Sequence, residues 1–297
     1  MSMLVFGSLN IDHVYQLDHL VQPGETLAAV SYQKNAGGKG LNQAIALAKA
    51  GRQTSLAGAI GQDGLFLRDI LQEFQVDGAH LQVLSAPTGH AIIQVDSQGQ
   101  NNIIIHGGAN HCLTQTMIHS VLSHFQAGDY VLMQNETNLG PEIIRAAAAR
   151  GMHVILNPSP FSPALLSWPM ELVEWFILNE IEGEALSGKN QPHAMLDALL
   201  SRYPSAHILL TLGKEGALYA DRFNRYRQSA YAVQAIDTTA AGDTFTGYFF
   251  HSLLNGKSIP LCLQTAAAAA ALAVSRPGAA KSIPDPKEVE AFFAATE

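Results

Sequence analysis

Cysteine is scarce in this chain: Cys112 and Cys262 stand alone, with no Cys-x-x-Cys pair and no Cys/His ligand spacing around them. That excludes a disulfide scaffold or a cysteine-based metal centre, and both residues read as reduced, structural thiols of a cytosolic protein. Positive charge is scarce too, 17 Lys and Arg against 25 Asp and Glu, for a formal charge of −8 with no basic block. Nucleic acid and anionic membranes are therefore not expected partners. The longest apolar run, Ala266 to Val274, is too short to span a bilayer. Met1-Ser2-Met3-Leu4-Val5-Phe6 lacks the basic and long apolar regions of a signal peptide and reads as a strand running into Gly7-Ser8. A cytoplasmic location is the expectation. No internal repeat, low-complexity linker or Pro/Ser-rich boundary divides the 297 residues, so one large domain over 1–297 is expected.

What is present is a 47% apolar content, ample for a core, arranged as short apolar runs alternating with helical patterns. Leu4-Val5-Phe6 precedes a helix over Gly38 to Ala50, whose Leu41, Ile45 and Ala48 share a face and which Gly51 stops. Tyr130 to Met133, a helix opened by Pro141 and closed by Gly151, and His153 to Leu156 form a strand-helix-strand unit. Trp175 to Leu178, a helix near His193 to Tyr203, and His207 to Thr211 repeat it. Continuous rather than alternating apolar runs mean strands buried on both faces, hence an α/β fold with a doubly wound, mostly parallel sheet. Residues 11–34 and 88–105 break the rhythm, with strand-like runs (Ala91 to Val95, Asn102 to Ile105) around a Ser97-Gln98-Gly99-Gln100 turn. They read as a small antiparallel sheet outside the main one, placed to act as a lid or dimer surface. The late helix Leu261 to Val274 is Ala-rich, suiting close packing on the sheet.

Polar residues follow five strands: Asn10/Asp12, Gln134-Asn135-Glu136, Asn157-Pro158-Ser159-Pro160, Asn179-Glu180-Ile181-Glu182 and Thr211-Leu212-Gly213-Lys214-Glu215-Gly216. Doubly wound sheets bind ligands at that edge. The most informative stretch, Ala240-Ala241-Gly242-Asp243-Thr244, precedes the apolar run Phe245 to Leu254. It reads either as an ordinary helix start or as a carboxylate beside orphan backbone amides that favour an anion. Gly37-Gly38-Lys39-Gly40 with Asn42 is either a flexible helix-leading turn or a set of amides aimed at a hydroxylated ligand, joined by Asn10, Asp12 and Glu136. It is not a Walker A loop, since no Ser/Thr follows the lysine, nor is Gly7-Ser8-Leu9-Asn10 a dinucleotide fingerprint. Asn179 and Glu182 are either an acid-rich first helical turn or holders of a hydrated Mg²⁺. The 12 histidines show no shared helical face and read as surface or packing residues.

Together, Gly7 to Asp12, Gly37 to Ala44, His106-Gly107-Gly108-Ala109-Asn110, Asn157 to Pro160, Asn179-x-x-Glu182, Thr211-Leu212-Gly213 and Asp237 to Phe245 strongly resemble the PfkB family of carbohydrate kinases, and within it the ribokinases. The matches run in order from Gly7 to about Pro284. The resemblance implies a ribokinase-like three-layer α/β/α domain whose β-sheet lid doubles as a homodimer clasp. It implies ATP-dependent phosphorylation of a primary sugar hydroxyl, for ribokinases the 5-hydroxyl of D-ribose. By the same resemblance Asp243 is the base, and Ala240, Ala241, Gly242 and Asp243 supply the anion hole. Asn10, Asp12, Gly38, Lys39, Asn42 and Glu136 are implied sugar contacts; Asn179, Thr211, Gly213, Gly216 and Gly242 implied nucleotide contacts. Glu182 is implied near Mg²⁺, and Asp237, Thr239, Val274, Pro277, Ala279 and Ser282 form an implied K⁺ loop. Three departures stand out. His90 occupies a lid position usually aliphatic in ribokinases, facing either the sugar or solvent, while Ile181 and Ala267 replace a Thr and a frequent His near the nucleotide. Related kinases for deoxyribose, fructose or pseudouridine, and a non-catalytic sugar-binding protein, are the alternative readings.

Overall fold

The computed structural model of the chain describes residues 1–296. In chain order these form β1 (Met3–Phe6), β2 (Asn10–Gln16), β3 (Ser31–Gly37), α1 (Lys39–Lys49), β4 (Thr54–Gly61), α2 (Phe66–Glu73), β5 (Asp77–Leu84), β6 (Gly89–Val95), β7 (Asn101–His106) and α3 (Gln115–Leu122). There follow β8 (Tyr130–Gln134), α4 (Gly140–Ala149), β9 (His153–Asn157), β10 (Trp175–Asn179), α5 (Glu180–Ser187), α6 (Pro192–Arg202) and β11 (His207–Thr211). The chain then runs through β12 (Ala217–Ala220), β13 (Arg225–Gln228), α7 (Ala241–Leu254), α8 (Ile259–Val274) and α9 (Pro286–Thr296).

The nine-stranded main sheet has the order β13-β12-β11-β10-β9-β8-β1-β4-β5. From β5 to β11 the pairs are parallel; β12 and β13 fold back antiparallel at one edge. Its central strands are apolar because each face has its own core. Val5, Leu132, Ile177 and Leu209 pack with Leu41 of α1, Phe249 of α7 and Leu263 of α8. Phe6, Met133, Leu178 and Leu210 pack with Ile118 of α3, Ile143 of α4 and Leu199 of α6. This is a three-layer α/β/α arrangement, as expected. α1 is buried continuously from Gly40 to Leu47 rather than along one stripe, because α7 covers its second face. The alanines of α8 (Ala266, Ala268, Ala269) are fully buried, which lets α7 and α8 approach closely. The direction of chain progression reverses between β1 and β8, so the crevice beyond their carboxyl ends is the topological switch point.

Residues 11–34 and 88–105 do supply a second sheet, of four strands in the order β3-β2-β6-β7. The expectation that it is wholly antiparallel is corrected: β2 and β6 run parallel, and only the outer pairs are antiparallel. Between β2 and β6 the chain passes through β3, α1, β4, α2 and β5, a crossover long enough to bring the second hairpin alongside with β6 in the direction of β2. Among the described residues no helix is long and apolar enough to cross a membrane. Both cysteines are free, but Cys112 is exposed and only Cys262 is a packing residue.

Candidate functional site

Helix α7 begins at the switch-point edge without a side-chain cap. Ala240, the residue before it, adopts a left-handed conformation (φ 59°), uncommon for a non-glycine and a form of strain typical of functional turns. The first α-helical bond runs from Thr244 N–H to Ala240 C=O (2.8 Å), which leaves the amides of Gly242 and Asp243 ahead of the ladder. A Cβ on Gly242 would meet nothing within 4 Å, so open space lies beside this turn. The Asp243 side chain is only 8% exposed. Its carboxylate accepts from Gln43 Nε2 at 2.9 Å and from Asn42 Nδ2 at 3.3 Å.

The start of α1 meets this carboxylate from the other side. Gly38 (φ 96°) allows the chain to turn into the helix where any Cβ would lie 2.8 Å from the Ser8 carbonyl oxygen. Glu136, following β8, caps α1 by accepting from Lys39 N–H (3.0 Å), and the Ser8 hydroxyl donates to the same oxygen. Burial opposes the charge on Lys39, but the carboxylates of Asp243, Glu136 and Glu182 outweigh it and hold the ammonium above the usual lysine range. Asp12 lies against Gly37, with its carboxylate where a Cβ of that residue would stand. Burial, and then the Glu136 charge, push Asp12 up to about 7. Asn10 is buried and its Oδ1 accepts from Asn110 Nδ2 at 2.8 Å. Asn42 Oδ1 is buried with no partner, a polar atom set for a donor from a ligand. Asn10, Asp12, Gly38, Lys39, Asn42, Glu136 and Asp243 thus gather around the carboxyl ends of β1 and β8.

Asn179 and Glu182 form a reciprocal capping box: Glu182 N–H donates to Asn179 Oδ1 (3.0 Å), and Asn179 N–H to Glu182 Oε2 (2.8 Å). Glu182 is 3% exposed, whereas Glu180 and Ile181 beside it are exposed, so within this turn the capping-box acid alone is buried. Among the described residues no three His, Cys, Asp or Glu side chains form a metal cluster. The donor set fits an ion that keeps its waters and leans on phosphates rather than a protein cage. Thr211 Oγ1 donates to Leu178 C=O (3.2 Å) at the end of the neighbouring strand. Gly213 is open on its Cβ side, whereas Gly216 (φ 100°) has backbone at 2.0 Å there, the Gln228 oxygen; its first duty is to turn the chain from β11 into β12.

The segments around Asp237 and around 274–282 are joined: Asp237 Oδ1 accepts from Thr239 N–H (2.9 Å) and Oδ2 from Gly278 N–H (2.9 Å). The carbonyls of Val274 and Ala279 each already accept two donors, Ile236 and Asp237 N–H on the first, Ser282 N–H and Oγ–H on the second. Asp237, Thr239, Pro277 and Ser282 remain the freer oxygens of that set. Sequence reasoning gave no individual role to Ser8, Gln43, Asn110 or Gln134, all buried polar residues; each lies within a motif or strand-end segment already singled out, and that was the available signal. His90 pairs with Ile11, one residue out of phase with Asp12, so it lies on the opposite sheet face, its ring 5.1 Å from His106 and 6.0 Å from His13.

The chain thus combines a doubly wound α/β fold, a crevice at its switch point, a carboxylate at a bare helix start and an appended four-stranded sheet. The family model for pfkB family carbohydrate kinases matches residues 2–286, and the chain belongs to that family. It is 35% identical to the ribokinase of Haemophilus influenzae, over 98% of each chain. Among solved structures it resembles Thermotoga maritima ribokinase (34% identity, 99% of each chain, TM-score 0.88). It also resembles Arabidopsis thaliana ribokinase complexed with ribose and ATP (31% identity, 98% of each chain, TM-score 0.84). The protein is an ATP-dependent sugar kinase.

Proposed function

We propose that the enzyme converts D-ribose to D-ribose 5-phosphate. The chemistry of this reading is carried by the buried Asp243 carboxylate beside the bare start of α7, flanked by the unpartnered Asn42 Oδ1, and the choice of ribose by the likeness to ribokinases. Asp243 accepts the proton of the 5-hydroxyl as its oxygen attacks the γ-phosphorus; the bond from that phosphorus to the β,γ-bridging oxygen breaks, and ADP leaves. The amides of Ala240 to Asp243 face the charge that spreads over the transferring group. Asp12 and Glu136 accept sugar hydroxyls, while Asn10 Nδ2, Asn42 and Lys39 complete the polyol contacts. Asn179, Thr211, Gly213, Gly216 and Gly242 lie along the nucleotide. When bound, Mg²⁺ supplies charge neutralisation to the phosphates, with Glu182 and Asn179 holding its water shell. K⁺ belongs at the loop of Asp237, Thr239, Pro277 and Ser282. The free thiols suit the cytoplasm.

The test is ADP release with MgATP and K⁺ over pentoses, hexoses and nucleosides. A dominant preference for D-ribose supports the reading; preference for deoxyribose, fructose or pseudouridine moves the substrate, and no turnover at all favours a sugar-binding protein.

We read 1–297 as one kinase domain with the four-stranded sheet as its lid and as the contact with a second copy. Edge strand β7 is exposed along its whole length and carries Ile103, Ile104 and Ile105, each more than half exposed. Such an edge is a template for association unless covered. Light scattering should give twice the chain mass, and Ile104→Lys should shift it towards the monomer; an unchanged mass for that variant would remove β7 from the interface.

A further inference from the structure

The Asp243 carboxylate is held by a relay that no sugar or nucleotide contact requires. Gln43 Nε2 donates one hydrogen to Asp243 Oδ1 (2.9 Å) and the other to Asn157 Oδ1 (3.0 Å), while its Oε1 accepts from Gln134 Nε2 (2.6 Å). Asn157 in turn donates through Nδ2 to the Ile177 carbonyl (2.9 Å). Gln43 is fully buried and Gln134 is 1% exposed. Every hydrogen-bonding atom named for the Gln43 amide is therefore matched, and the opposite rotamer would aim Oε1 at two oxygens, those of Asp243 and Asn157. The amide has one permitted orientation, and it points a donor at the carboxylate. Asn42 supplies only a longer bond, at 3.3 Å.

We propose that Gln43, oriented by Gln134 and Asn157, is a positioning residue that sets the Asp243 carboxylate in line for proton transfer. This rests on the reading of Asp243 as the base. The relay ties the carboxyl ends of β8 and β9, and the middle of β10, to the N-terminal parts of α1 and α7, the elements that form the crevice. A side chain that orients a base without touching substrate affects the chemical step, so its loss lowers kcat and leaves the KM values nearly unchanged.

Gln43→Met should lower kcat about tenfold with the KM values for sugar and ATP within about twofold, because the carboxylate loses its shorter hydrogen bond. Gln134→Met, one step removed, should act in the same direction by about threefold. Gln43→Glu places a second carboxylate against Asp243, so the acidic limb of its kcat-pH profile should move to higher pH, by about one unit or more. A purely structural role would lower the melting temperature and leave that limb in place. If Gln43→Met does not fold, Gln134→Met and the pH profile of Gln43→Glu decide. Parental kcat and an unmoved limb in the folded variants would overturn the proposal. Turnover retained by Asp243→Asn would instead remove the base assignment itself, so the two failures are distinguishable.

Discussion

Replacing Asp243 by asparagine is expected to lower kcat by about 10²- to 10⁴-fold, the usual effect of losing a general base. That equals about 3–5 kcal/mol of transition-state stabilisation. The fold should survive. Asparagine Oδ1 can still accept from Gln43 Nε2, which now stands 2.9 Å from the carboxylate. Its new amide group would face Asn42, whose Oδ1 is buried without a partner and becomes an acceptor once that amide turns over. The KM for ATP should therefore change little, the KM for sugar should rise modestly because the turned Asn42 no longer offers Oδ1 to it, and single-turnover kinetics should place the main loss in the chemical step. Near-normal turnover in a correctly folded Asp243→Asn would eliminate Asp243 as the base.

Asp12→Asn is expected to raise the KM for sugar about 10- to 100-fold with a smaller effect on kcat, since hydrogen bonds to a charged acceptor contribute roughly 1.5–3 kcal/mol. The same variant should make the ligand-free protein more stable at alkaline pH. In the folded chain burial, then the Glu136 charge, push Asp12 from its ordinary 3.8 up to about 7. Between those values the native state binds the proton and the unfolded state does not, so stability falls as pH rises through this window. Above it the folded protein carries the whole cost, on the order of a few kcal/mol, and asparagine removes it. Below the lower value both states are protonated and the difference vanishes. Thermal melts of both proteins at pH 4 and pH 8 check this: the stabilisation should appear only at the higher pH. A variant equally stable at both, with an unchanged sugar KM, would rule out both the strained carboxylate and its substrate contact. The expected result is a trade of stability for binding, with Asp12 kept buried beside Glu136 because a polyol supplies the donors that water no longer can.

The strands from β8 to β11 were legible in the sequence because burial on both faces leaves an unbroken apolar run, and the start of α7 because small residues around Asp243 interrupt one. The β12–β13 edge and the strand β4 were not read, the first being short and half exposed, the second carrying Gly58 and alternating alanines that dilute its signal. The direction of β6 beside β2 was misread because strand direction is not local information; it depends on where the intervening chain travels.

The amino-acid sequence by itself determined the layered α/β architecture and the edge on which polar residues gather, and it singled out Asp243, Asp12, Asn42 and Glu136 as candidates for the chemistry. It could do so because periodicity, turn chemistry and helix starts are set by neighbours along the chain. The tertiary structure alone decided which of those groups act on one another. It brought Gln43 against Asp243 across 200 positions, tied Glu136 to the start of α1, closed the Asn179–Glu182 capping box over a buried carboxylate, and turned His90 to the face away from Asp12. Those outcomes depend on register and on burial, and both are properties of packed elements rather than of any segment read alone.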